Sequence, residues 1–217
     1  MALRGGCPTR PALATARRRV RPLAASVCAF VADASVADAR AAVLSTRDLY
    51  ASTPAVEEAV AILCNSPPES SVVASGLWDG TWEVVHAPHL RSVDALGVRF
   101  TPVRYVVSGT GSCCRSDVHW NFLGASGWLS AAGTLHASGV AVELLFTEFW
   151  VSGECEEARP FPTGSEATLL DRCIQAVGRL GFVPSLSVFP IAFLDEGITI
   201  FSFPPLRTLI CAKKRSG

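Results

Sequence analysis

What the chain does not contain narrows it first. No apolar run reaches the ~18 residues that a membrane-spanning helix needs. The greasiest stretch, residues 182–194, is broken by Pro184 and Pro190, so a soluble or peripheral protein is expected. There is no C-x-x-C, which excludes zinc ribbons and thioredoxin-type redox motifs, and no G-x-S-x-G to present a nucleophile. No glycine-rich loop is placed to cradle a phosphate: Gly109-Thr110-Gly111 is short and opens a strand, not a helix. Charged residues are only 18% of the 217, and acids are missing altogether from residues 1–32, which hold six arginines (Arg4, Arg10, Arg17, Arg18, Arg19 and Arg21). Setting those six aside leaves 13 basic against 19 acidic residues, a balance of −6. A body of that sign, without a basic stripe, is a poor partner for nucleic acid.

What is present fits one domain with an extension. Hydrophobic content of 49% supplies an ample core and argues against a disordered chain. Residues 1–32, rich in Arg, Ala and Pro, have the composition of an organelle transit peptide without fixed structure, with Val27-Cys28-Ala29 as the expected processing region. A secretory signal would need an apolar region of roughly 7–15 residues, which Arg17-Arg18-Arg19 interrupts. Two of the eight cysteines, Cys7 and Cys28, fall in this leader. Among the rest the only close pair is Cys113-Cys114, whose side chains point to opposite faces of a strand. They read as small buried hydrophobes in a reducing compartment.

Helical periodicity covers residues 33–65. Val36, Ala39, Val43 and Leu44 share one face. Thr53-Pro54 starts a second helix as N-cap and first-turn proline, with Val56, Ala59, Val60 and Leu63 as its apolar face and Asn65-Ser66-Pro67-Pro68 as its stop. These two helices are expected to cover an open end of a barrel. The barrel region is 77–212. Strands are predicted at 81–86, 98–107 (with Pro102 at an edge or bulge), 113–123, 128–136 and 140–151, with a turn over 124–127. A helix over 165–180, capped by Ser165, then precedes strands at 186–194, 198–203 and 206–212. Leu169, Leu170, Cys173, Ile174 and Val177 make its apolar face. Asp195-Glu196-Gly197 suits a hairpin loop with glycine in the left-handed position. Residues 213–217 read as a frayed basic tail. Short antiparallel strands at this spacing specify a sandwich or barrel over a parallel sheet.

The stretch Gly80-Thr81-Trp82-Glu83-Val84-Val85, with Ala87-Pro88-His89 behind it, resembles the plastid lipid-associated protein family, the plant and algal fibrillins. Gly127-Trp128-Leu129 and Phe193-Leu194-Asp195 carry the same resemblance, as does the helix-then-strand order over residues 33–212. It implies a mainly β, lipocalin-like antiparallel barrel in the plastid, at plastoglobules or the thylakoid periphery. Lipids or prenylquinones are the implied ligands. The family's aromatic-Leu-Asp is usually followed by an Arg; Gly197-Ile198-Thr199-Ile200-Phe201 supplies none, so Asp195 lacks that local ion partner and reads as a turn residue.

Candidate site residues follow from strand parity. Trp82 opens the first strand as an indole able to plug one barrel end, and Val84 shares its face. Val140, Val142, Leu144 and Phe146 read as interior, and Glu148 shares their parity. An inward Glu148 would have a raised pKa and serve an isomerase or cyclase acting on a lipid-derived substrate; a place at the barrel rim is preferred, because buried unpaired acids are rare. The small residues Ala131, Ala132 and Gly133 leave one wall thin, which favours a cavity. His86, His89, His119 and His136 read as unrelated imidazoles and not as a metal site, and no cofactor is called for. The expected partner is an apolar small molecule held by Trp82, Val84, Val142, Leu144, Phe146 and Glu148, or a lipid surface. A coat protein of lipid globules, needing no cavity, is the third reading.

Overall fold

A computed structural model describes residues 36–50, 53–65, 76–109, 112–153, 157–162 and 167–215. The leader expected over 1–32 lies outside them, as do Ser66-Pro67-Pro68 and Ser165. Eight strands run β1 (Gly80–His86), β2 (Val98–Ser108), β3 (Cys113–Phe122), β4 (Ala125–Ser138), β5 (Ala141–Ser152), β6 (Val188–Leu194), β7 (Ile198–Phe203) and β8 (Thr208–Lys214). Each pairs antiparallel with the next, and β8 returns to β1, so the sheet closes into a barrel. Closure resolves the sandwich-or-barrel choice that spacing leaves open, although β5 and β6 pair at only three positions. Among the described residues, no helix is long and apolar enough to cross a membrane.

Among the described residues four α-helices accompany the barrel: α1 (Val36–Ser45), α2 (Pro54–Cys64), the single turn α3 (Arg91–Asp94) and α4 (Leu169–Gly181). The Thr53 side chain accepts from the Val56 amide, as the Thr-Pro start predicts. Helix α4 begins later than residue 165. Its cap is Thr168, in a reciprocal capping box with Asp171.

Helices α1 and α2 lie on the outer wall and not across an end. The outward side chains Val85, Ile198, Ile200 and Cys211 are buried, and so are Val43, Val60 and Leu63 of the helices. Arg40 of α1 pairs with Asp195, and the Lys213 ammonium donates to the Leu44 and Thr46 carbonyls. Only Ala39 and Val43 of the expected α1 face are buried; Val36 and Leu44 are exposed. The ends are dressed by shorter pieces. Leu49 and Tyr50, just after α1, join the barrel core, and the Tyr50 hydroxyl donates to the Phe100 carbonyl.

Three irregularities reset the strand pattern. The β2–β3 register shifts between Phe100 and Val103, so Pro102 sits at a bulge in a closed sheet. The β3–β4 turn is two residues, Leu123 and Gly124, both left-handed at φ 50° and 85°, and β4 therefore starts at Ala125. In β5, Ala132 pairs with Glu148 and Gly133 with Phe146, which leaves Thr147 as an extra residue. At the β6–β7 turn Gly197 is not left-handed; Asp195 Oδ1 instead accepts the amides of Gly197 and Ile198 at 2.7 and 2.8 Å. The basic tail is not frayed at its start, because Lys213 and Lys214 belong to β8 and the Arg215 amide donates to Thr81.

Candidate functional site

The interior is closed at the end where β1 begins. Trp82 is 2% exposed, its Nε1 donates to the Trp78 carbonyl at 2.7 Å, and the two rings lie 6.2 Å apart. The Lys214 ammonium stands 5.3 Å from the Trp82 ring. Beneath this plug lies an apolar void of only about 40 Å³, walled in part by Tyr105, Leu135, Val142, Leu144, Phe201 and Ala212. That holds one or two waters at most. Thr199 also lines it, and its buried Oγ1 has no partner among the described residues.

Tyr105 divides this void from a larger recess at the opposite end. Burial pushes its phenol up to about 12, so it stays neutral. The recess, about 280 Å³, is lined by Val84, Leu90, Phe100, Val103, Val118 and Leu129, with Ala87, His89 and Ile210. It approaches the lower limit of ordinary small-molecule sites, about 300–1,000 Å³. His89 is its one titratable imidazole. His89 Nδ1 lies 3.1 Å from the Thr208 hydroxyl, its ring packs 5.4 Å from Phe203, and burial lowers its pKa. Exposed Leu96, Phe122 and Leu123 stand at the same end, beside the first residues of β2 and β4.

The expected ligand residues therefore divide. Trp82, Val142 and Leu144 border the small void, and Val84 borders the recess. Phe146 packs against the core and edge-on to Phe182 at 5.9 Å. Val140 is exposed in the β4–β5 turn. Glu148 is on the outside. The bulge at Thr147 inverts parity, so Glu148 shares a face with Trp150 and Ser152 and borders an outer recess with Arg115 and Thr134. Among the described residues, no carboxylate lines the void or the apolar recess.

The thin wall also has another cause. A side chain at Gly133 would collide with the Leu145 carbonyl, because the β5 bulge brings that backbone against β4. The glycine serves close approach and not a cavity. Trp128 and Trp150 are likewise core residues of the outer face: Arg104 stacks over Trp128 and Arg115 over Trp150, 5.4 and 5.6 Å from the rings. Residues 157–162 cover them, with Trp150 Nε1 donating to the Arg159 carbonyl and Phe161 edge-on at 5.4 Å.

Of the described cysteines, Cys114 and Cys211 are buried with thiols pushed up by desolvation, while Cys113 and Cys173 are exposed. All five described cysteines are free. Among the described residues no group of three or more His, Cys, Asp or Glu is placed to hold a metal ion. Neither family models nor curated proteins give a match to this chain.

Proposed function

We propose that this chain is a lipid-associated protein of the plastid fibrillin kind, holding one apolar molecule in the recess ringed by Val84, Phe100, Val103 and Leu129. One observation carries this: the barrel is plugged by Trp78 and Trp82 at one end and opens as an apolar recess at the other. Gly80–Val85 forms the plugged strand, Leu129 of Gly127-Trp128-Leu129 faces the recess, and Phe193-Leu194-Asp195 ends β6 at the turn tied to α1. Burial of apolar area at about 25 cal/mol per Å² is the main source of affinity, and the 40 Å³ void adds room for no more than the tip of a chain. Glu148, the carboxylate an acid–base reading would use, lies on the outside, so binding is the better account.

The plastid address rests on the leader's composition and on the family resemblance. Import of the full-length chain into isolated chloroplasts, with removal of the leader, tests it directly. Ligand binding is tested by titrating a short-chain prenylquinone and following tryptophan quenching. Leu129→Arg places a charge at the half-exposed mouth. It should weaken quinone binding at least tenfold while the melting temperature holds. Equal affinities in wild type and Leu129→Arg would remove the recess as the site.

A further inference from the structure

Helix α4 is amphipathic with its faces reversed. At 100° per residue, Leu169, Leu180, Cys173, Val177 and Leu170 occupy one arc of about 100°. A surface helix normally turns such a stripe to the core. Here Leu169, Leu170, Val177 and Leu180 are 79, 66, 69 and 87% exposed, and Cys173 is exposed with them.

The polar side faces the barrel instead, for reasons visible along β5. Strands β5 and β6 pair at only three positions, Ala141 to Glu143, so the backbone of β5 beyond them has no strand partner on that side. Helix α4 supplies the partners. The Gln175 amide and Arg179 Nε both donate to the Thr147 carbonyl at 2.9 Å, and Gln175 Oε1 accepts the Phe149 amide. Asp171, the one buried residue of the helix, pairs with Arg159. Gly178 lies so close to Phe149 that any side chain there would enter the ring. These ties fix the roll of the helix, so its leucines cannot turn inward.

The apolar strip continues past the helix through Val183, Leu186 and Val188, each at least 40% exposed. Charge then selects the occupant. Between residues 172 and 194 there is no acid, while Arg172 and Arg179 lie together along one edge of the arc. A helix that pairs with its own copy needs complementary charges beside the seam, and this edge offers only cations. A lipid surface demands no such complement, accepts a broad stripe of Leu and Val, and answers the arginines where its headgroups are anionic.

We infer that α4 and the strip to Val188 form an interfacial docking face for a lipid surface, lying in its plane with the arginine edge toward the headgroups. The inference rests on the lipid-associated reading and deepens it by naming the face that meets lipid.

The test floats the full-length chain with vesicles of phosphatidylcholine, with and without phosphatidylglycerol. Val177→Gln with Leu180→Gln should lower partitioning at least tenfold on both compositions, at an unchanged melting temperature. Arg172→Gln should weaken binding only where phosphatidylglycerol is present. All these proteins carry the same six leader arginines, so differences among them belong to α4. As an independent readout, Leu169→Trp should add quenching by brominated lipid beyond that of wild type. Equal partitioning of wild type and double variant overturns the proposal. So does a wild-type dimer that the double substitution splits and that ignores vesicles, since the occupant is then a second copy. Quinone titration of the same preparations separates the two readings: a double variant that binds quinone but not vesicles supports the face. A wild type that binds quinone but not vesicles sinks the face and leaves the recess standing.

Discussion

Trp82 is where the fold is most exposed to a single change. Replacing it with Ala removes a fully buried indole next to an existing void and takes away the ring that packs on Trp78 and pairs across the strands with Tyr105. Truncating a buried aromatic costs about 3–5 kcal/mol, including the cavity left behind. The Trp78 carbonyl also loses its 2.7 Å donor, which adds about 1–3 kcal/mol if no water reaches it. Domains of this kind have roughly 5–15 kcal/mol in total, so Trp82→Ala should sit near the edge of folding. Trp82→Phe separates the two parts: it keeps most of the ring but not the N–H, and should cost about 1–3 kcal/mol. Urea titration followed by far-ultraviolet circular dichroism reads both. With a slope of about 2 kcal/mol per molar, the two costs together should take about 2–4 M off the Ala variant's midpoint. An Ala midpoint within about 0.5 M of wild type would refute the plug. A Phe variant as unstable as Ala would refute the division into ring and hydrogen bond.

Three further outcomes follow from the site and its supports. Gly133→Ala should destabilise by about 2–4 kcal/mol, because the added carbon meets the Leu145 backbone; scanning calorimetry should show about 2–4 °C lost per kcal/mol. Asp171→Asn should cost about 1–2 kcal/mol in denaturant midpoint by weakening the Thr168 capping box and the Arg159 pair. Hydrogen bonds from the Thr168 hydroxyl and amide hold the Asp171 carboxyl below the ordinary value, so its contribution is full above about pH 4. It is lost as pH falls through the lower folded value, and the gap to Asp171→Asn should close on acidification. Burial lowers the pKa of both His86 and His89, so the unfolded chain takes up protons first. Stability is therefore full above about pH 6.5 and should decline as pH falls through the depressed folded values, with quinone affinity falling as His89 becomes charged.

Much of the barrel is legible in the sequence because strand alternation and turn residues are local signals. The β1 plug, the Thr53-Pro54 helix start and the order of strands all come from neighbours in the chain. Two of the misplaced expectations share one physical origin, an unseen bulge. A single extra residue at Thr147 sends Glu148 outward and brings the Leu145 carbonyl onto Gly133, which removes both the inward acid and the thin wall. Extra residues in a strand leave no mark on a two-residue period until the partner strand is known. The ion partner of Asp195 was equally hidden, since Arg40 stands 155 residues away in sequence. The recess was missed because its lining comes from many elements, with Leu90 and Phe100 from a region that periodicity assigns to no shared face.

Helix α4 shows the same limit in sharper form. Its period marks the apolar stripe correctly, Leu169, Leu170, Cys173 and Val177 among them, but a period carries no direction. Direction was decided by β5, whose carbonyl at Thr147 and amide at Phe149 need partners that β6 does not supply. The Phe149 amide is part-buried, and leaving it unpaired costs about 1–3 kcal/mol. Gln175 and Arg179 meet that need only if the helix turns its polar side inward, and the Asp171–Arg159 pair holds that roll. Four large side chains are then left in water, and each regains about 1.5–3 kcal/mol on full burial. Full immersion of the arc would therefore release several kcal/mol, enough to hold the protein at a lipid surface while the barrel stays intact. The gap in β-sheet pairing and the outward stripe are thus one feature: the strand's unmet hydrogen bonds orient the helix, and the orientation creates the docking face.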